Sequence, residues 1–393
     1  MAAASRGAVV LGSDFKALAA IRSLARAGVR TLVVDDQPRA AWFSRYAGGR
    51  VRWPEPMSGE GFARGLVDLA ARRGLRGWVL LPMQDDAVET VARHGDRLRE
   101  QYGVVTPPWN SLCPVHDKLA LHRTAERAGV PHPRTWIPES AEELTSLHIQ
   151  FPVIVKPAVS IGLQHALGKK ALPARDWSEL LEAWRRASSA LEPAQRLLIQ
   201  EIIPGDGRNQ FSVAAFCEDG AIRVAMTARR LRQFPVDYGL SSSFVEAVWV
   251  PELPQLAKRM MSQTSISGPV ELEFKRDPRD GSFKLFDVNV RLWAWHALCT
   301  ACGLDFARMQ FEVAEGSWPA PMEARYGRRW MRVPTDVPAA IQAMRRRELG
   351  LGRYLRTLRL PIQPSVLDWR DPLPFVGDLA QIAIRMGSLR RRA

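Results

Sequence analysis

The segment KLFDVNVRLWAWH, residues 284–296, begins with the composition of a buried β-strand and then places three polar side chains at alternate positions. These side chains are Asp287, Asn289 and Arg291. Residues two apart in a strand share a face, so the acid, the amide and the guanidinium are expected to point the same way. Burying such groups together is unfavourable unless they bind something that replaces their hydration. The pattern therefore predicts a ligand site.

Two lysines and a further acid complete the pattern. Lys118 begins a predicted helix, and Lys156 ends the apolar run FPVIVKP, where an ammonium group is costly to bury unless an anion meets it. Glu273 lies on PVELEF, a strand expected to form a hairpin with the strand of Asp287. Oxygen ligands without His or Cys suit Mg²⁺, which shares its coordination shell with phosphate. The combination predicts a site for a nucleoside triphosphate with magnesium.

Each of these groups also has an ordinary structural interpretation when it is taken alone. A lysine at a strand end commonly extends to solvent, Glu273 alternates with apolar residues as on an amphipathic strand, and a lone His296 beside a tryptophan is more typical of a packed residue than of a base. Asp85 and Asp86 follow a strand, where α/β proteins bind ligands, or they cap the next helix. That choice stays open, whereas the order of the other groups along the chain favours a site.

Motifs and composition argue against several classes of protein. Cys299 and Cys302 form a lone CxxC, which indicates a reduced, packed pair rather than a zinc site. The sequence lacks the P-loop pattern GxxxxGK[ST], the dinucleotide fingerprint GxGxxG and the kinase motifs HRD and DFG. It also lacks a signal-peptide pattern and any apolar run near the roughly 20 residues of a membrane span. We therefore expect a cytoplasmic protein.

The net charge of +14 is concentrated towards the C-terminus, where residues 319–393 contain 15 Arg, no Lys and 6 acids. One interpretation is a solvated basic tail in an Arg-rich protein. The other is contact with an anionic partner, such as a phosphorylated substrate, nucleic acid or a membrane surface. No helix-turn-helix, RNA-binding or zinc-finger signature accompanies the charge, so no specific nucleic acid is expected.

The periodicity of the chain predicts an α/β fold followed by an α+β fold. Residues 7–36 form a strand, a glycine turn, an amphipathic helix and a second strand, which is a βαβ unit of a parallel sheet. Further on, residues 151–172 are expected to form one hairpin, and Asp219-Gly220 marks the turn of another.

These residues resemble the ATP-grasp superfamily of carboxylate–amine ligases, and within it the predicted carboligases that include D-aspartate ligase. The resemblance covers about residues 7–315. It rests on DKLALHRTAERAGVPHPRTW, FPVIVKP, LLIQEIIPGDG, ARRLRQFP with the following YGLSSSFVEAV, and VELEFKRDPRDGSFKLFDVNVRLWAWH. The last two are the most specific.

The resemblance implies a Rossmann-like preATP-grasp domain at 1–112 and a two-lobed ATP-grasp domain. Its N-terminal lobe, the lid, would be 113–195, and its C-terminal lobe with the metal site would be 196–318. A basic C-terminal extension, 319–393, would follow.

The resemblance also implies roles for individual residues. Lys118 and Lys156 would hold the phosphates of ATP, and Arg291 would face the transferred phosphate, with Lys156 and Arg291 as the catalytic residues. The adenine and ribose would be bound by Gln200, Glu201, the backbone of Ile203, and Asp206. The Mg²⁺ ligands would be Glu273, Asp287 and Asn289. Arg230 and Arg232 would orient an acidic substrate.

The implied activity is ATP-dependent activation of a carboxylate as an acyl phosphate and its ligation to an amine. ATP and Mg²⁺ (with Mn²⁺ as an alternative) would be the cofactors, small-molecule carboxylates and amines the substrates, and a homodimer the assembly. Two alternatives remain: a non-catalytic or regulatory ATP-binding protein of the same fold, and a scaffold that contacts an anionic membrane surface through its basic tail. The sequence departs from the family pattern at Val290, at Ala294, at Asp287 in place of the commoner Glu, and in a glycine-poor lid loop, SIGLQHALG.

Overall fold

The computed structural model describes residues 6–54, 56–158, 171–191, 196–234 and 241–390. The chain folds into two compact units. The first unit comprises Met1–Leu112, Ser212–Leu272 and Asn289–Ala393, and the second comprises Cys113–Phe211 and Glu273–Val288. This division differs from the four consecutive segments expected from the sequence, because the chain returns to each unit.

The N-terminal part of the first unit contains a five-stranded sheet with the order β3-β2-β1-β4-β5. All four strand pairs in it are parallel. Its strands are β1 Gly7–Leu11, β2 Arg30–Asp35, β3 Gly49–Arg52, β4 Val79–Pro82 and β5 Gly103–Val104. This order is that of the first five strands of a doubly wound α/β sheet, and the predicted βαβ unit at 7–36 is present.

Helices cover both faces of the parallel sheet. They are α1 Phe15–Arg26, α2 Gly59–Arg73, α3 Asp85–Arg93 and α4 Gly95–Arg99, and α5 Trp109–His116 follows β5 along the chain. Along β1, Ala8 and Val10 pack into the core that contains α1, whereas Val9 and Leu11 pack into the core that contains α2. Successive residues of a strand point to opposite faces, so this uninterrupted apolar strand is what a sheet covered on both sides requires.

A seven-stranded sheet has the order β14-β13-β10-β11-β12-β15-β16. Its strands are β10 Gln210–Glu218, β11 Ala221–Phe234, β12 Ser241–Ala247, β13 Gly268–Arg276, β14 Phe283–Asn289, β15 Arg329–Met331 and β16 Ile362–Pro364. Asp219 and Gly220 both have positive φ angles, 46° and 77°, between β10 and β11. A two-residue hairpin turn with both φ angles positive favours an Asp-Gly pair, so the prediction for this turn is confirmed.

The second unit contains a four-stranded sheet of order β6-β9-β7-β8. Its strands are β6 Thr135–Trp136, β7 Val153–Pro157, β8 Leu172–Ala174 and β9 Leu197–Glu201, and its helices are α6 Lys118–Arg127, α7 Ala141–Leu144 and α8 Trp177–Ala190. The described strand pairs are antiparallel. The predicted hairpin at 151–172 corresponds to β7 and β8, but most of the lid loop, including its glycines, lies outside the described residues.

The C-terminal segment, residues 319–393, is built into the first unit. β15 pairs with β12, and β16 pairs with β15. Trp330 and Val366 belong to the same apolar core as β1 and α1. The remaining helices of the first unit are α9 Glu252–Met261, α10 His296–Ala301, α11 Phe306–Ala314, α12 Val333–Arg345, α13 Leu351–Thr357 and α14 Leu373–Arg390. The segment therefore differs from the solvated extension that its charge suggested.

Buried ion pairs explain part of the arginine content of the first unit. Arg22 of α1 bonds to Asp371 at 3.0 Å, and Arg232 of β11 bonds to Asp336 at 2.7 and 2.9 Å. Both acids are almost fully buried. Within the described ranges, no helix combines the length and the apolar character that crossing a membrane demands.

Candidate functional site

The second unit brings together Lys118 and Asp287, which the sequence assigned to phosphate and to metal. Asp117 caps α6 by accepting bonds from the main-chain N–H groups of Leu119 and Ala120, so Lys118 occupies the first position of the helix. Its side chain is about nine-tenths buried, and its ammonium group forms an ion pair with the carboxylate of Asp287 on β14. The structure thus gives the buried lysine an anionic partner from a strand far away in the sequence.

Lys156 lies on β7 and donates to the side-chain oxygen of Gln200 on β9 at 2.8 Å. The pKa of Lys156 is lowered to about 7. Burial is the main cause, the positive charge of Lys118 acts in the same direction, and the negative charge of Asp287 opposes the shift. The two lysines therefore lie within electrostatic reach of each other. A second cation beside a buried lysine is unfavourable unless an anion joins them, so this part of the unit is suited to a polyanion.

Glu201 follows Gln200 on β9 and belongs to an ion cluster. Its carboxylate accepts bonds from the main-chain N–H of Arg134, from Lys284 at 3.2 Å and from Arg279 at 3.3 Å. Burial alone would raise the pKa of Glu201, but these bonds and charges outweigh it and hold the pKa below its ordinary value. The carboxylate of Glu201 is thus engaged with cations of the β13–β14 hairpin.

The other residues expected at the nucleotide lie close to β9 in the sequence. Ile203 is buried. Asp206 caps the short 3₁₀ helix Gly207–Asn209 and pairs with Arg208 at 2.7 Å. Its carboxylate therefore has a local structural role, and its assignment to the ribose remains a prediction.

The first unit brings together Asn289, Arg291 and two acids that the sequence did not assign to the site. Asn289 donates to Glu271 at 3.1 Å, and the other oxygen of Glu271 accepts from the indole of Trp295 at 2.8 Å. Arg291 donates to Asn289 at 3.3 Å and binds both oxygens of Asp85, at 2.5 and 3.1 Å. Asn289 and Arg291 therefore share a hydrogen-bonded arrangement, as their spacing predicted.

Asp85 and Glu271 each carry a weak signal in the sequence. Gln84, and not Asp85, is the N-cap of α3; Asp85 lies in the first turn, and its carboxylate binds Arg291. The ligand-binding interpretation of Asp85 stays a prediction. Glu271 is buried, although its alternation with apolar residues is equally typical of an exposed strand face. His296 is buried and contacts the main-chain oxygen of Lys16 at 2.9 Å, as expected for a packed residue.

The three predicted metal ligands lie on neighbouring strands. Glu273 is on β13, Asp287 is on β14, and Asn289 ends β14. Among the described residues, no group of three or more His, Cys, Asp and Glu side chains could hold a metal ion. The predicted set has two carboxylates and one amide. This donor chemistry fits Mg²⁺, which usually takes one or two carboxylates from the protein and other oxygens from phosphate.

The two arginines predicted to orient substrate differ in their contacts. Arg230 on β11 donates to Ser242 at 2.8 Å and to Gln233 at 3.3 Å. Arg232 is buried against Asp336 and stacks over Phe244 at 4.1 Å. Arg232 therefore has a structural role in the first unit, whether or not it also contacts substrate.

A family model described as carbamoyl-phosphate synthase L chain, ATP binding domain, matches residues 117–318, just over half of the chain. D-aspartate ligase of Enterococcus faecium is 26% identical over 278 residues, which are 66% of this chain and 65% of that enzyme. The chain thus spans just under two thirds of that relative.

Solved structures show the same fold. The L-amino acid ligase of Bacillus licheniformis superposes with a TM-score of 0.63 at 14% identity, covering 83% of this chain and 79% of the other. The biotin carboxylase domain of the Hydrogenobacter thermophilus 2-oxoglutarate carboxylase superposes with a TM-score of 0.66 at 18% identity, covering 83% of this chain and 73% of the other. With the family model spanning both lysines and the hairpin of Glu273 and Asp287, the chain belongs to the ATP-grasp family, in the branch described by the ATP-binding domain of carbamoyl-phosphate synthase.

Proposed function

We propose that the chain is an ATP-dependent carboxylate–amine ligase. The observation that carries the proposal is the convergence of Lys118, Lys156 and Asp287 from a helix and two strands of the second unit. A buried and a partly buried cation beside a carboxylate provide the charges that a magnesium–triphosphate requires. The D-aspartate ligase and the L-amino acid ligase among the relatives support a reaction that forms a carbon–nitrogen bond.

In the proposed reaction, a carboxylate oxygen of the substrate attacks the γ-phosphorus of ATP, and ADP leaves. The product is an acyl phosphate. An amine then attacks its carbonyl carbon, phosphate leaves, and the amine loses a proton to give the amide. Lys118 and Lys156 stabilise charge on the phosphoryl oxygens, because positioning and electrostatics dominate phosphoryl transfer.

Glu273, Asp287 and Asn289 are the proposed holders of Mg²⁺, which would supply further neutralisation of the phosphate oxygens. Asp287 would change its main partner from Lys118 to the metal when nucleotide binds. Arg291 would then face the transferred phosphate, as the family resemblance implies. The biotin carboxylase relative was crystallised with MgADP, which supports the same nucleotide and metal here.

The identity of the substrates is a further part of the proposal. One relative of the chain is a D-aspartate ligase, so acidic amino acids are the first candidates. We propose Arg230 and Arg232 for orienting their carboxylates, as the family resemblance implies, although the guanidinium of Arg232 also binds both oxygens of Asp336. The solved relative described as a dimer supports a homodimer, which light scattering would test. The cytoplasmic location stays a prediction.

The proposal is tested by measuring ADP and phosphate release with ATP, Mg²⁺ and a panel of amino acids and other carboxylates, each with and without an amine. We expect release that depends on one acid–amine pair, together with an amide product in the mass spectrum. Lys156→Ala and Asp287→Asn should lower this turnover at least 100-fold, about the scale of losing one electrostatic donor. Lys258→Met, at an exposed lysine of α9, is the control and should retain it.

Two results would count against a ligase. Binding of ATP with magnesium but no turnover that depends on a substrate would favour the non-catalytic alternative. Normal turnover by the Asp287→Asn variant would show that the assignment of the metal site is wrong.

A further inference from the structure

We propose that His122 is a positioning residue of the nucleotide site, which fixes the side-chain amide of Gln200 so that its oxygen faces Lys156. The inference rests on the proposed function, because His122 acts at the nucleotide site only if Lys156 binds phosphate. Nothing in the sequence pattern of the site includes His122. It lies one helical turn after Lys118 on α6, at the spacing that places two residues on the same face of a helix.

Four buried or partly buried side chains form a continuous hydrogen-bonded chain. The Nε2 atom of His122 is 3.2 Å from Nε2 of Gln200, and its Nδ1 atom is 2.9 Å from the hydroxyl of Thr135. The amide nitrogen of Gln200 is also 3.1 Å from that hydroxyl. Its amide oxygen is 2.8 Å from the ammonium group of Lys156. His122 and Gln200 are only 6% and 3% exposed.

One main-chain carbonyl determines the direction of every bond in this chain. The hydroxyl of Thr135 donates its single hydrogen to the carbonyl oxygen of Pro133 at 3.0 Å, and a carbonyl can only accept. The other two neighbours of the hydroxyl, Nδ1 of His122 and Nε2 of Gln200, must therefore donate to it. The imidazole then carries its proton on Nδ1, and its Nε2 accepts from Gln200.

This direction leaves one orientation for the amide of Gln200. Both hydrogens of its nitrogen are used, one towards His122 and one towards Thr135. Its oxygen consequently faces Lys156, whose ammonium form can only donate. The reversed amide would place N–H groups against the ammonium group and leave the imidazole Nε2 facing an oxygen.

The electrostatic surroundings keep the imidazole in the accepting form. Burial, the positive charges of Lys156 and Lys118, and the neighbouring ring of His132 together lower the pKa of His122 to about 3. The ring is therefore neutral at ordinary pH. A protonated ring would present an N–H to Gln200 and favour the reversed amide.

The consequence is a change in the role of Gln200. Because all its side-chain atoms that can form hydrogen bonds are committed, its side chain positions the phosphate lysine and does not read the base. A contribution of Gln200 to the adenine pocket would come from its main chain. His122 thus connects α6, which carries Lys118, to β9, which pairs with the strand of Lys156.

The test compares His122→Leu, which removes the acceptor, with His122→Gln, which restores an oxygen acceptor on a flexible side chain. We expect His122→Leu to raise the KM for ATP, and the Kd for magnesium–ATP measured by calorimetry, about tenfold, the effect of one buried hydrogen bond. His122→Gln should stay within about threefold of the wild type by the same reasoning. The KM values of the carboxylate and the amine should not change in either variant.

A double-mutant cycle with Gln200→Met separates positioning from general destabilisation. If His122 acts through Gln200, the double variant should bind ATP no more weakly than Gln200→Met alone. Losses that multiply, or equal losses for the Leu and Gln variants, would overturn the inference. If the wild type binds magnesium–ATP without turnover, the ligase proposal fails while the Kd values still decide on His122. A wild type that does not bind ATP would overturn both.

Discussion

At the scale of single residues, Lys156 is a group that suits phosphate binding and at the same time lowers the stability of the folded protein. Its ammonium group is surrounded by protein and lies near Lys118, and its pKa is lowered to about 7 from 10.5. A lowered pKa means that the folded protein disfavours the charged form. The same electrostatic cost makes the position receptive to a phosphate group. A protein selected only for stability would not place two lysines there.

This cost predicts a dependence on pH. Between about pH 7 and 10.5 the folded wild type binds fewer protons than the unfolded chain, so its stability rises with pH across that window. Below pH 7 both states carry the proton and the full cost is present. Lys156→Met should therefore be more stable than the wild type at pH 6, and its advantage should shrink as the pH approaches 10.5. Chemical denaturation at a series of pH values measures this difference.

The control for this experiment is Lys258→Met, at an exposed lysine. It should show the same pH profile of stability as the wild type. A Lys156→Met variant that is less stable than the wild type at pH 6 would contradict the electrostatic interpretation.

The residues that the sequence could identify are those whose chemistry conflicts with their surroundings. Lys156 in an apolar run and Asp287 in a strand are unusual enough to be noticed. Glu271 and His122 are not, because a glutamate on an alternating strand and a histidine on a helix are common. Their importance lies in partners far away in the sequence, Trp295 and Gln200, which only the fold brings near. The spacing of His122 from Lys118 was the one local sign.

At the scale of elements, the hairpin β13–β14 carries all three proposed metal ligands, and its turn is stabilised by a buried acid. Asp277 is fully buried and accepts bonds from Arg279 at 2.9 Å and from Lys284 at 2.8 Å. The same two cations also contact Glu201 of β9. Through these cations, the acid connects the turn to β9, the strand that carries Gln200 and Glu201.

Asp277→Asn should destabilise the protein at neutral pH. The hydrogen bonds from Arg279 hold the pKa of Asp277 well below 3.8, although burial opposes them, and Lys284 adds to the effect. The stabilisation by the carboxylate is present above about pH 4 and is lost as the pH falls further. We expect a loss of about 3 kcal/mol at pH 7, as for a broken buried ion pair, measured by denaturant unfolding.

The difference between Asp277→Asn and the wild type should narrow in acid, because the wild type loses the same interaction there. Asp96→Asn is the matched control, since Asp96 is fully exposed at its pair with Arg99 and should not affect stability. A loss that is equal at pH 7 and pH 3 would indicate a cause other than the carboxylate charge.

Elements with a strong local signal were predictable, and those that depend on distant pairing were not. The βαβ unit at 7–36 and the Asp219-Gly220 turn follow from periodicity and turn chemistry. The three-residue strands β15 and β16 do not, because neither is long enough to show alternation. They are strands because β15 pairs with the edge of β12, and β16 pairs with the edge of β15.

At the scale of the whole molecule, the charge of the C-terminal segment was a poor guide to its place in the fold. Net charge informs on solubility and association rather than on structure. Asp336 and Asp371 of this segment are the buried partners of Arg232 and Arg22, respectively. These acids are few in the sequence, yet they connect the segment to β11 and α1. Residues of the segment form part of the core, whereas its composition suggested either a solvated tail or contact with an anionic partner.

Removal of residues 319–393 should therefore prevent the first unit from folding. The truncated chain would lose Trp330 and Val366 from its core and leave Arg22 and Arg232 as buried cations without their acids. Each broken buried pair costs about 3–5 kcal/mol, and two such losses approach the whole stability of a typical domain, about 5–15 kcal/mol. We expect the truncated protein to aggregate or to lose cooperative thermal unfolding. A solvated tail predicts the opposite, so a truncated chain with an unchanged unfolding transition would show that the segment is dispensable to the fold.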